Sequence, residues 1–244
     1  MKHCLLAVAF GATLTAGVAL AQEAKPVHEF SLNAAITSDY RYRGISQTRL
    51  QPALQGGADY THNPSGLYAG VWLSTIKWTK DAGGDGDVEV DLYAGRRGAL
   101  GDKLSYDAGV LSYVYPSNDL QPSANTTEVY GQLGFGPAYV KYSLGLTNLF
   151  GYADSRHSGY LDLGANLDLA QGLVLNLHAG HQNVKGNAAA SYTDWKIGLT
   201  RDFGVATGAL ALVGTNADRV AYASPVNGKF MGRNAVTVSI SKTF

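Results

Sequence analysis

The sequence predicts an all-β protein, a closed antiparallel transmembrane β-barrel of about 12 strands with short periplasmic turns and longer extracellular loops. Three observations carry that expectation. Apolar and polar residues alternate with period two along most of the chain, the connections between the alternating stretches are long and short by turns, and charged residues make up only 16% of the chain. That fraction falls below the roughly 25–35% of a well-behaved soluble surface. No stretch after residue 21 approaches the ~20 apolar residues that a spanning helix needs, which excludes a helical membrane protein.

The amino-terminal end reads as a cleaved signal peptide over residues 1–21, followed by one barrel domain over 22–244. Lys2 precedes an apolar stretch from Leu5 to Leu20, and Ala19-Leu20-Ala21 forms a small-x-small cleavage site before Gln22. The only cysteine, Cys4, lies in the discarded segment, so no disulfide or thiol chemistry is expected of the mature chain. A net charge of zero gives no reason to expect a nucleic-acid partner.

Taken in order, the candidate strands are 28–41, 51–61, 67–78, 88–97, 103–115, 127–136, 138–150, 159–170, 173–184, 192–201, 205–216 and 234–244. The second carries Gly56-Gly57, read as allowing curvature or close side-chain approach inside the barrel. The fourth sets Val88, Val90, Leu92 and Ala94 against Glu89, Asp91 and Tyr93, and the fifth sets Leu104, Tyr106, Ala108 and Val110 against Lys103, Ser105, Asp107 and Gly109. The eighth is the clearest, with Leu161, Leu163, Ala165, Leu167 and Leu169 opposing Asp162, Gly164, Asn166 and Asp168. In the ninth, Leu173, Leu175, Leu177 and Ala179 oppose Val174, Asn176, His178 and Gly180. The last alternates strictly from Val236 to Phe244, and it should pair with both the strand near 205–216 and the first strand. An even strand count lets an antiparallel ring close with both ends on one side.

The connections 42–50, 79–87, 116–126, 151–158, 185–191 and 217–233 are long, whereas those around 62–66, 98–102, 136–137, 171–172 and 202–204 are tight. Lipid offers no hydrogen-bond partners, so a sheet in a membrane must close, with its Leu, Val and Ala face outward and its Asp, Asn, Ser, Gly and Lys face inward. A soluble lipocalin-like barrel would reverse those faces and carry a Lys- and Glu-rich exterior. This chain has few Glu, and its polar positions are often Gly, Ser, Thr or Asn.

The expected lining is mixed and slightly acidic: Glu89, Asp91, Asp107, Asp162, Asp168 and Asp194 against Arg97, Lys103, Lys141 and Lys196. Such charges tune solute selectivity, and equally pair across a narrow barrel to hold it shut. Aromatic residues including Tyr68, Trp78, Tyr113, Tyr115, Tyr139, Tyr192, Trp195 and Phe203 fall toward strand ends, which suggests interfacial girdles. Trp72 lies mid-strand, where wall packing or sugar stacking would account for it. No enzyme, metal or cofactor is expected. His157-Ser158 reads as a solvated loop, His178 and His181 fall on opposite faces of a strand, and the segment 81–87 misses the spacing of a calcium repeat.

The stretches Ser38-Asp-Tyr-Arg-Tyr-Arg-Gly-Ile-Ser-Gln-Thr48, Pro52-Ala-Leu-Gln-Gly-Gly-Ala-Asp-Tyr60 and Ser65-Gly-Leu-Tyr-Ala-Gly-Val-Trp-Leu-Ser-Thr-Ile76 closely resemble the TorF porin family of Gram-negative bacteria. The resemblance is specific in the first third of the mature chain and only pattern-like beyond it. It implies residence in the outer membrane, among its lipid and lipopolysaccharide, with Phe244 read as a signal by the outer-membrane assembly machinery. It names no solute. Within the motif, Arg41 and Arg43 are expected at the top of the first strand, either as an electropositive channel mouth or paired with Asp39, Asp59 or headgroup phosphates. The functional expectation is a narrow passive channel for small polar solutes or ions, with a plugged, non-conducting barrel as the alternative.

Overall fold

The structure, a computed structural model, describes residues 26–244; the expected signal peptide over 1–21 lies outside the described residues. Twelve strands close into one antiparallel barrel. In chain order they are β1 (His28–Thr37), β4 (Ala53–His62), β5 (Leu67–Thr75), β6 (Val88–Ala99), β7 (Leu104–Val114), β8 (Thr126–Phe135), β9 (Ala138–Gly145), β10 (Gly159–Asp168), β11 (Leu173–Asn183), β12 (Tyr192–Asp202), β13 (Thr207–Thr215) and β14 (Ala235–Thr243). Two short strands, β2 (Arg41–Tyr42) and β3 (Ile45–Ser46), form a hairpin of their own, and a single helical turn, α1 (Trp78–Asp81), interrupts another loop.

Each strand pairs with its sequence neighbour, and β14 closes the ring on β1, with Asn33 opposite Thr243 and Thr37 opposite Ser239. Leu32 and Phe244 extend that seam by exchanging backbone hydrogen bonds of 2.8 and 3.4 Å. The expected strands are thus all present, with local differences at their ends. The first stops at Thr37 rather than 41 and the seventh at Gly145 rather than 150, because in both places the chain turns into the barrel or its loop layer. Lys103 belongs to the tight turn before β7, not to the strand.

The pleat sorts the side chains. Leu32, Leu54, Leu92, Leu163, Ile197, Leu210, Val238 and Ile240 stand exposed on the outer wall, while Glu89, Asp91, Glu128, Asp162 and Asp194 are buried within. An exposed apolar belt around a charged interior inverts a soluble barrel and fits a hydrocarbon surround. At the short-turn end the belt is rimmed by Phe30, Phe135, Phe203 and Phe244, all exposed. The expected girdle is therefore mainly phenylalanine, because most of the tyrosines read as girdle residues face inward. Tyr68, Tyr113, Tyr139 and Tyr192 share the inward parity of the carboxylates on their strands or their neighbours.

The long loops pack into a layer over one end. Tyr40, Ile76, Tyr113, Tyr115 and Ala124 form one buried apolar cluster, Ile45, Tyr192, Ala217 and Met231 a second, and Leu149, Val184 and Ala190 a third. In the last long loop, backbone N–H groups of Ala221 and Val220 donate to Asp218 at 2.8 Å, which holds its carboxyl below the usual carboxylate range. Ser158, expected in a solvated loop, is instead buried: its hydroxyl donates to the Ser155 carbonyl at 2.6 Å and accepts the Lys185 N–H at 3.0 Å.

Candidate functional site

The segment 38–52 enters the barrel instead of reaching outward. Arg43 and Gly44 both have positive φ, 45° and 78°, at the tip of the β2–β3 hairpin, and Arg41 and Tyr42 pair with Ser46 and Ile45. Two successive residues with positive φ are what a tight two-residue hairpin turn requires, and glycine at the second position makes it accessible. The base of the hairpin is tied by Asp39, whose carboxylate takes Arg41 Nε at 2.6 Å and the Ser46 hydroxyl at 2.5 Å. Arg41 Nη1 then donates to the carbonyls of Gly44, Met231 and Arg233, each at 3.0 Å, which joins the hairpin to the loop before β14.

The tip crosses to the far wall. Arg43 Nη1 and Nη2 lie 3.1 and 2.7 Å from the two oxygens of Glu128 on β8, and Nη1 also donates to Gln182 Oε1 on β11 at 2.5 Å. Its guanidinium carbon stands 4.0 Å from the Tyr160 ring centroid on β10 and 4.8 Å from that of Tyr42. The Tyr42 hydroxyl donates to Tyr113 at 2.8 Å, and Tyr40 donates to Glu89 at 3.3 Å while packing edge-on against Trp72. The Arg43 and Glu128 side chains are 7% and 2% exposed, so the hairpin tip packs tightly against the wall at this level of the lumen. Arg41 and Arg43 therefore do not form a channel mouth at the top of the first strand. β1 ends at Thr37 and the hairpin folds inward; the expected pairing with Asp39 holds for Arg41, which also binds loop carbonyls, while Arg43 pairs with Glu128 on the opposite wall.

A second charged group adjoins the tip. His178 lies between Asp162 and Asp194, with Nδ1 2.8 Å from Asp162 Oδ1 and Nε2 2.7 Å from Asp194 Oδ2, and the Tyr160 hydroxyl donates to Asp194 at 2.8 Å. Cross-strand register explains the cluster. Asp162 faces Lys141 and Gly180, while His178 faces Gly164 and Lys196. The rings of Tyr139 and Tyr160 lie over Gly164 and Gly180 with their hydroxyls donating to Asp162 and Asp194, so tyrosines frame the imidazole and its two carboxylates. Lys141 lies over the Tyr130 ring at 3.9 Å.

Of the expected lining residues, Glu89, Asp91, Lys141, Asp162 and Asp194 point inward and are buried. Asp107 accepts the Tyr68 hydroxyl at 2.5 Å, and Arg97 covers the Tyr68 ring at 5.0 Å and reaches Thr61 at 3.3 Å. Lys196 and Asp168 share the inward parity but are exposed rather than buried. Lys103 does not line the lumen, because it is an exposed residue of the turn preceding β7. Phe244 stands on the outer wall beside Phe30, Leu32 and Tyr60, with Lys242 5.4 Å from its ring. The sequence reading missed Glu128, Gln182, Tyr160 and His178 as members of the site. Glu128 had a usable signal: it is one of few glutamates in the chain, and it falls on the inward parity of its strand.

Among solved structures, the chain resembles one described as "KdgM porin", with a TM-score of 0.56 over 88% of this chain and 98% of that one at 6% identity. It also resembles a structure described as "Unveiling the Mechanism Behind the in-meso Crystallization of Membrane Proteins", with a TM-score of 0.53, 9% identity, and 88% and 83% coverage. These likenesses establish the fold alone. No curated protein matches the chain in sequence. A family model matches residues 21–244, nearly the whole chain, and by that match the protein belongs to the family described as "Bacterial protein of unknown function (Gcw_chp)".

Proposed function

We propose that the protein is an outer-membrane porin, a narrow passive channel for small polar solutes or ions whose cross-section is set by the inward segment 38–52. The observation that carries this reading is a closed barrel with an apolar exterior and a lumen lined by ionisable groups of both signs, crossed by a loop anchored through Arg43 and Glu128. A purely structural barrel has no need of so many buried carboxylates, because burying a charge is costly unless it is paired. The TorF resemblance in the motif containing Arg41 and Arg43, and the fold likeness to a KdgM porin, support the same reading. In this proposal residues 1–21 direct export and are removed. The assembly machinery inserts the barrel among outer-membrane lipid and lipopolysaccharide, and solute passes without chemical change, so the protein is not an enzyme.

The depth of the Arg43–Glu128 contact favours a second reading, a barrel held shut that serves the envelope through its loops. Planar-bilayer recording separates the two. Purified, folded protein should give discrete conductance steps, and a folded barrel that inserts but never conducts would replace the channel with the structural reading.

A further inference from the structure

The hairpin tip fills a site that the barrel wall builds without it. Glu128 on β8, Tyr160 on β10 and Gln182 on β11 come from three wall strands, whereas Arg43 is carried by a loop. The wall offers a bidentate carboxylate at 2.7 and 3.1 Å, an amide oxygen at 2.5 Å and an aromatic face at 4.0 Å. These features together recognise a flat cation with several N–H edges. A guanidinium satisfies all of them at once, whereas an ammonium has neither the plane for the ring nor the fork for the carboxylate.

The surrounding charges fit the same occupant. Tyr160 is held in place by Asp194, which also contacts His178, and His178 contacts Asp162. Lys141 on β9 and Lys196 on β12 are the wall cations nearest to these carboxylates in the register. Without a cation at this point the buried Glu128 carboxylate would keep the Tyr113 hydroxyl, at 3.4 Å, but lose its bidentate ionic partner, which disfavours withdrawal of the tip unless another cation replaces it. The tip can shift without breaking the wall, since the residues bounding the segment, Thr37 and Ala53, are direct register partners in the β1–β4 ladder.

On the porin reading given above, we propose that Glu128, Gln182 and Tyr160 form a solute subsite for guanidinium-bearing cations. Arg43 occupies it at rest, and a guanidinium compound passing through the channel occupies it in Arg43's place. The subsite selects by shape as well as charge.

Ethylguanidinium is the probe, and the purified full barrel carrying Arg43→Ala, which vacates the subsite, is the test protein. Titration calorimetry should show ethylguanidinium binding to Arg43→Ala about tenfold or more tightly than ethylammonium, the margin expected from one lost charge-assisted hydrogen bond. Binding should be weaker in the wild type, where Arg43 competes, and lost in Arg43→Ala/Glu128→Gln. In bilayers Arg43→Ala should conduct more than the wild type, and the same compound should reduce that conductance. Arg43→Ser is measured in parallel, so that a folding defect in one variant does not end the test. Equal affinity for the two cations, or binding indifferent to Glu128→Gln, would overturn the subsite. Calorimetric binding by barrels that never conduct would uphold the subsite and remove the porin reading instead.

Discussion

The smallest unit that shapes this barrel is a glycine facing a tyrosine across a ladder. Gly70 opposes Tyr93, Gly95 opposes Tyr68, Gly109 opposes Tyr130 and Gly164 opposes Tyr139, all on the inward face. In the first of these a β-carbon on Gly70 would come within 2.5 Å of the Tyr93 ring, so the phenol lies flat over its neighbour's backbone where a side chain would otherwise stand. The abundance of glycine, 30 residues, and of tyrosine, 15, thus has a partly shared cause. Gly70→Val should therefore lower stability by about 1–3 kcal/mol, the usual range for overpacking, while Gly131→Ala, with nothing within 4 Å of its added carbon, should be neutral. Urea unfolding of the two variants in detergent micelles checks this, and equal losses would refute it. The sequence left the point half-legible. Strand parity puts Tyr93 beside Asp91 on the inward face, but the tendency of aromatic residues to mark membrane interfaces argues the other way. The glycine opposite each ring, visible only once register is known, decides between them.

Among the elements, the strands were legible and the first loop was not. Each strand has an outward side that is apolar, so its period survives in the sequence, and only the ends shifted where the chain entered the loop layer. A loop has no such constraint: Arg41 and Arg43 satisfy the same pattern whether the segment points to solvent or into the lumen. The best available clue was Arg43-Gly44 between two tyrosines and Ile45, a hairpin turn with flanks suited to burial. Thr37 and Ala53 are already opposed, so the segment 38–52 is far longer than the connection needs, and its length serves to fill the lumen. Replacing residues 40–50 with a short Gly-Ser turn should leave the barrel closed, because the β1–β4 ladder from His28↔His62 to Thr37↔Ala53 is untouched. Single-channel conductance of that variant should rise severalfold over the wild type, with unchanged heat-modifiable migration on gels. Unchanged conductance in a folded variant would mean that the loop does not set the constriction.

At the scale of the whole molecule, the barrel is defined by which solvent meets which face, and that can be measured directly. Leu210 stands near mid-height on β13, 50% exposed, with Leu199 and Val238 beside it in the ladders to β12 and β14. Val205 sits in the turn before β13, 73% exposed, level with the phenylalanine rim. If hydrocarbon surrounds the wall, a charge placed at Leu210 has no water to retreat to, whereas one at Val205 reaches the interface. Leu210→Arg should then cost about 2–4 kcal/mol in reversible unfolding from lipid vesicles, and Val205→Arg no more than about 1 kcal/mol. In a soluble barrel both residues would face water, and exposed substitutions of this kind stay within about 0.5 kcal/mol. A depth-dependent difference between the two variants is a property of the bilayer, not of the sheet, so its absence would count against the membrane itself as this barrel's surroundings, and with it against any reading of the lumen as a channel.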